Sequence, residues 1–214
     1  MITIEGMTAA ELRVDETWWE IYEDSFPTSE REMPKVILES IQRGVGMAFR
    51  AREDAVTRGL ATIHLLNNPA AVFLVYLAVN EKKRSRGIGG ELLSFAWESG
   101  ARRLCEQHLK PIGMVWEIDP PQPEDDAGNV RQRRMTFFEK HGGRPLDPSY
   151  VQPPIDGIAE VPMILMFRPD KGQEVPDSNT KDALKRAIYF EKYGKINEID
   201  TSKLEELMNR KGNS

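Results

Sequence analysis

The sequence predicts an α/β fold: a mixed β-sheet flanked by helices, followed by a C-terminal helical extension. Three observations carry this. Across residues 70–168, β-rich apolar runs alternate with amphipathic helical patterns. Ahead of that array, two strand patterns lie close enough to form a hairpin, which brings antiparallel strands into the sheet. Beyond Arg168, a polar stretch with Pro169 and Pro176 precedes two short patterns at helical spacing. Residues 1–168 are thus expected to form one domain, 169–180 a linker and 181–214 the extension. At 214 residues the chain can bury a sizeable core.

The elements follow in order. A first helix carries Trp18, Trp19, Tyr22 and Phe26 and stops at Pro27. Thr28 or Ser29 can cap a second helix with Val36, Ile37, Leu38 and Ile41, ended by Gly44 and Gly46. Residues 47–51 and 60–65 read as strands joined by a polar turn over 54–59. Residues 73–79 form a run suited to burial on both faces. The helix after it sets Leu92, Leu93, Ala96, Trp97 and Leu104 on one broad face. A strand over 112–118 ends at Pro120-Pro121, and a helix over 131–140 has Gly142-Gly143 as its stop. The last strand is expected over 161–167, with Pro162 at its start, where a missing N–H is tolerable. Two strand–helix units in series predict a mostly parallel central portion. In the extension, Leu184, Ala187, Ile188 and Phe190 share a helical spacing, as do Leu204, Leu207 and Met208 after Thr201 or Ser202. Isolated helices this short are marginal, so they must dock on the main body or on another copy, which makes a homodimer one expectation.

Bulk properties exclude several classes. The longest apolar run, 70–79, is far below the roughly 20 residues of a membrane-spanning helix. Residues 1–5 show no basic segment followed by an apolar stretch, so no secretory signal is expected. Cys105 is the one cysteine, which rules out an intrachain disulfide framework and suits the cytoplasm. A net charge of -5 argues against a general nucleic-acid binder. His64, His108 and His141 have no metal-ligand spacing with one another or with Cys105, so no metal is expected.

The most informative segment is Arg84-Ser85-Arg86-Gly87-Ile88-Gly89-Gly90, where an apolar strand empties into a basic, glycine-rich turn that opens a helix. Glycines allow close backbone approach, and a helix N-terminus offers free N–H groups and partial positive charge. Such a turn favours a phosphate or pyrophosphate. A P-loop needs a Lys-Ser/Thr pair that is not here. A dinucleotide loop needs a third glycine where Leu92 stands. The pattern Arg-x-x-Gly-x-Gly instead resembles the acetyl-coenzyme A loop of the GCN5-related N-acetyltransferases. The resemblance includes Leu77-Ala78-Val79 before the turn and Arg134-Met135-Thr136-Phe137-Phe138-Glu139-Lys140-His141-Gly142-Gly143 after it, and it covers about residues 48–167.

This resemblance implies a sheet partly splayed beside the loop, with acetyl-coenzyme A as co-substrate. Backbone amides of Arg84, Ser85, Arg86, Gly87, Ile88, Gly89 and Gly90 would bind the pyrophosphate. Backbone groups of Leu77, Ala78 and Val79 would bond the pantetheine arm. The acetyl group would pass to a primary amine of a small molecule or peptide by direct attack in a ternary complex. Where the family usually carries a tyrosine acid stands Phe138, which can pack on pantetheine but cannot donate a proton. A non-catalytic acyl-coenzyme A sensor on the same fold is the alternative.

For the chemistry, Glu117 is the best general base, at the end of its strand where the splay should open; a surface ion pair with an arginine is the competing reading. Tyr150 is the candidate replacement acid, or else the anchor of an irregular loop. The run Glu124-Asp125-Asp126 could attract a cationic acceptor or simply be solvated. Glu30 or Arg31 could touch the acceptor. Trp18 and Trp19 are expected to pack, His64 and His141 to be structural, and Cys105 to be a buried, inert thiol.

Overall fold

The computed structural model describes residues 1–80, 87–122 and 130–210. The chain opens with a strand the sequence reading did not anticipate, β1 (Ile2–Met7), and a short helix, α1 (Ala9–Val14). Thr8 and Glu11 bond each other's backbone N–H groups at its start, a reciprocal cap. The aromatic helix is α2 (Glu16–Ser25), capped by the Asp15 carboxylate. Thr28 and Ser29 cap nothing further on. They begin a single 3-10 turn, Thr28–Glu30, and the next helix, α3 (Pro34–Gln42), opens with Pro34 at its first position, where proline fits best.

β2 (Gly46–Glu53) and β3 (Val56–Asn67) form the expected hairpin, but its turn is only Asp54 and Ala55, both at positive φ. β4 (Ala70–Val79), α4 (Ile88–Glu106), β5 (Gly113–Ile118) and α5 (Val130–Lys140) follow. Then come β6 (Arg144–Asp147), another unanticipated strand, and β7 (Val151–Gln152). The last predicted strand is broken in two at Met163. β8 (Val161–Pro162) pairs only with β7, and β9 (Ile164–Pro169) joins the main sheet.

The seven-stranded sheet has the order β1-β2-β3-β4-β5-β9-β6. Among the described strands, β4 and β5 are its one parallel pair, so the predicted mostly parallel centre is wrong. The reason is that β9 enters antiparallel between β5 and β6, so the parallel strands that α5 connects never pair. After α5 the chain returns through β6 and pairs β9 antiparallel to β5.

Two irregularities in β4 shape the site. Its pairing with β5 runs from Val72 opposite Met114 to Leu74 opposite Trp116 and then stops, which is the splay. At the same level the β3–β4 register slips, with Thr62 opposite Tyr76 and Ile63 opposite Leu74, so Val75 is the extra residue of a bulge. An extra residue reverses the alternation of faces. Val72 and Leu74 pack on the α4 side; beyond the bulge, Leu77 and Val79 take that side and Tyr76 and Ala78 turn to α2.

The core has three parts. One lies between the sheet and α4, around Phe49, Leu92, Ala96 and Trp116. A second lies under α1, α2 and α3, around Leu12, Trp18 and Tyr22, with the Trp18 indole donating to Phe49 O at 3.2 Å. The third joins Phe73, Val115, Leu165 and Phe167 to the C-terminal segment. That segment comprises α6 (Ser178–Ala187), a π-helical turn over Ile188–Gly194, and α7 (Thr201–Asn209). Its apolar positions Leu184, Ile188, Tyr189, Leu204 and Leu207 are buried against this chain's own sheet face. Cys105 differs from expectation: it is exposed, one residue and about a quarter turn past buried Leu104.

Candidate active site

The splay becomes a cleft of about 740 Å³. β4 from Leu74 to Val79 forms one wall and Trp116, Glu117, Ile118 and Asp119 the other. The start of α4 closes one end, α5 lies along it, and Ser25, Phe26 and Glu30 close the opposite end.

The α4 end is made from backbone. Gly87 caps the helix at φ +82, a left-handed conformation costly for a residue with a Cβ. Gly90 is equally constrained, by space: a Cβ there would stand 2.6 Å from His141 Nε2. His141 is fixed by an Nδ1 contact to Phe137 O at 2.8 Å. A Cβ on Gly89 would meet the Phe137 ring at 3.4 Å. The 19-residue helix thus presents its N-terminus to the cleft over small residues, an arrangement that suits an anion. Arg133 and Lys140 of α5 line the same cleft. Of the predicted coenzyme-binding residues, Leu77, Ala78, Val79, Gly87, Ile88, Gly89, Gly90 and Phe138 all line it. Arg84, Ser85 and Arg86 lie outside the described residues, as does the run 124–126. Phe138 is buried with its ring 4.7 Å from that of Trp116.

The opposite end is made from side chains. Glu117 is one residue past the last β4–β5 pair, on the sheet face that carries the C-terminal segment. Among the described residues it makes no ion pair with an arginine. Its Oε2 accepts from the Tyr193 hydroxyl at 2.7 Å and from Gln152 Nε2 at 2.9 Å. Burial pushes the Glu117 carboxyl above its ordinary value, opposed by the nearby Tyr150 hydroxyl, the bonds from Tyr193 and Gln152 and the charge of Lys192. Tyr150 stands close enough for that effect, yet neither its hydroxyl nor Glu117 Oε1 makes a hydrogen bond of regular geometry.

Tyr150 is not a loop residue folded over the acceptor. It is 1% exposed, behind Glu117, packed on Tyr189 with Lys185 above its ring, and it does not line the cleft. Burial and the Glu117 charge push its hydroxyl well above the ordinary tyrosine value.

Glu30 lines the cleft in contact with Asp119, which Arg134 of α5 holds in an ion pair. Burial, then the Asp119 charge, raise the Glu30 carboxyl to about 7, despite Arg134. The turn is pinned from behind. The Tyr76 hydroxyl donates to Glu30 O at 2.8 Å and accepts from Glu32 N at 2.9 Å, and the Tyr22 hydroxyl donates to Glu32 O at 3.0 Å. The Glu32 carboxylate is buried in an ion pair with Lys192 and accepts from Asn197 Nδ2 at 2.7 Å.

Sequence reasoning missed Gln152, Asp119, Lys192 and Tyr193. None stands in a motif, and each reaches the site only through tertiary packing.

The fold as a whole is shared with known structures. A protein of Bacteroides thetaiotaomicron classed with the GNAT-family acetyltransferases superposes over 92% of this chain and 99% of its own, with a TM-score of 0.67 and 22% identity. The chain has the fold of the GCN5-related N-acetyltransferases. An aminoglycoside 6'-N-acetyltransferase complexed with coenzyme A shares that fold over 78% of this chain and 96% of its own, at a TM-score of 0.58 and 16% identity. The ribosomal-protein-S18-alanine N-acetyltransferase of Escherichia coli does so over 83% and 98%, at 0.52 and 16%. No family profile matches the sequence, and no curated protein is similar to it by sequence.

Proposed function

We propose that the chain is an acetyltransferase that moves the acetyl group of acetyl-coenzyme A to a primary amine. The observation that carries this is a single cleft joining an anion-binding helix N-terminus to a buried carboxyl through the gap between β4 and β5. The coenzyme-bound aminoglycoside enzyme on the same fold supports the choice of donor. Gly87 to Gly90 would hold the pyrophosphate, with Arg133 and Lys140 at hand for its charge, and Leu77 to Val79 would lie along the pantetheine arm.

Glu117 takes the proton from the acceptor's ammonium, directly or through one water, and burial, which raises its carboxyl above the ordinary value, makes it a stronger base. The freed nitrogen attacks the thioester carbonyl carbon, the C–N bond forms, the C–S bond breaks, and coenzyme A leaves as thiolate and takes up a proton. Calorimetry with coenzyme A, followed by thiol release from acetyl-coenzyme A over a panel of amines, tests the reading. Absence of coenzyme binding at millimolar concentration sinks it.

One observation favours a second reading, a non-catalytic acyl-coenzyme A sensor. Phe138, buried against Trp116, brings no proton donor to the leaving sulfur. Tight coenzyme binding without thiol release from any amine would select it.

A further inference from the structure

We propose that Tyr193, in the π-helical turn of the C-terminal segment, is a positioning residue for Glu117, fixing both the orientation and the proton affinity of that carboxylate. Its activity readouts rest on the acetyltransferase reading; its geometry does not. The Tyr193 hydroxyl donates its one proton to Glu117 Oε2 at 2.7 Å and accepts from Gln152 Nε2 at 3.2 Å. Gln152 donates to the same carboxylate oxygen, so the three groups close a triangle around it.

The tyrosine has little freedom to leave. It is 2% exposed, with its ring against Phe73. Its turn is anchored on both sides: the Tyr189 hydroxyl donates to Val151 O at 2.6 Å, and Lys192 is buried in its ion pair with Glu32 while also donating to Asn197 Oδ1 at 2.9 Å. π-helical turns are rare and recur at functional sites. Here the turn directs adjacent Lys192 and Tyr193 inward, one to the acceptor-side turn and one to Glu117.

The groups facing Glu117 can be sorted by the charge state they favour. Tyr193, Gln152, Tyr150 and the Lys192 charge favour the carboxylate. Glu30 across the cleft and burial itself disfavour it. Tyr189 packs nearby but spends its proton on Val151. A tyrosine donor lost from a buried carboxylate therefore raises its proton affinity, and that consequence separates a positioning role from mere packing.

The deciding experiment is carboxyl 13C NMR titration of Glu117 in the full-length chain, assigned with Glu117→Gln, before and after Tyr193→Phe. The expected result is an upward shift of about one to two pH units, the value of a hydrogen bond to a charged group. The acid limb of kcat/KM moves by the same amount, kcat falls at neutral pH, and KM for acetyl-coenzyme A stays put. In a Glu117→Gln background, Tyr193→Phe adds no further loss of kcat. An unmoved titration overturns the proposal, and so do multiplicative losses in the double variant. Should Tyr193→Phe not fold, 3-fluorotyrosine at position 193 keeps the ring and strengthens the donor. It should lower the titration, and an unchanged or raised value overturns the link. Lack of coenzyme binding by the unmodified chain would defeat the acetyltransferase reading alone, because the titration needs no coenzyme.

Discussion

The two ends of the cleft are built by different means. The α4 end is a contiguous piece of chain in which backbone N–H groups, a left-handed glycine and small residues do the work. The other end draws Glu30, Glu117, Asp119, Gln152, Lys192 and Tyr193 from four separate segments, and every one acts through its side chain. The difference teaches that the α4 end depends on local conformation, whereas the carboxyl end depends on the C-terminal segment being docked. Each end should therefore fail separately.

The largest separation should come from Glu117→Gln, which keeps size and removes the proton acceptor. Turnover is expected to fall about 10²- to 10⁴-fold while calorimetric affinity for coenzyme A is unchanged. Parallel loss of both would mean that the two ends are not independent. Lys192→Met should come next, in stability rather than chemistry. It strands the Glu32 carboxylate in a site where both partners are almost fully enclosed. Removing one partner of a buried pair costs about 3–5 kcal/mol, readable as a lowered urea midpoint, and Glu32→Gln added to it should recover part of that loss.

Gly87→Glu attacks the opposite end. A side chain at φ +82 is strained and the new charge opposes a phosphate, so coenzyme A affinity should drop about tenfold or more. The 13C titration of Glu117 should not respond, which sharpens the contrast.

The smallest expected effect is a pH dependence. Glu30 titrates near 7 in the folded chain against an ordinary value of 4.5. The folded state therefore holds an extra proton between those values, and stability falls as pH rises from about 4.5 to about 7. Glu30→Gln should remove that slope, giving a variant more stable than the parent at pH 8 and little changed at pH 4. Equal urea midpoint differences at both values would show that burial and the Asp119 charge do not hold Glu30 protonated.

Much of this was legible beforehand, for identifiable reasons. The Gly87–Gly90 turn, the Leu77–Val79 strand and the Phe138 helix could be read because their chemistry lies within one short stretch each. Glu117 could be set near the end of its strand because β5 is one contiguous run, and it lines the cleft there. Tyr150 could not: nothing in its sequence neighbourhood reveals that Tyr189 and Lys185 enclose it. β1 was missed because Ile2 and Ile4 alternate over too few residues, and β6 because Arg144 and Pro145 disguise a four-residue edge strand. The mostly parallel centre failed because periodicity identifies strands but not their direction.

The sequence alone determined the alternation of strands and helices and the glycine-rich start of α4, since periodicity, glycine and helix termini act over a few residues. Tertiary structure decided the rest. The bulge at Val75 turns Tyr76 toward α2, and the end of β4–β5 pairing opens the cleft. Docking of the C-terminal segment brings Tyr193 to a carboxylate 76 residues away in the chain. That last contact depends on burying Leu184, Ile188 and Leu204 against the sheet, a free energy that exists only once the sheet has formed.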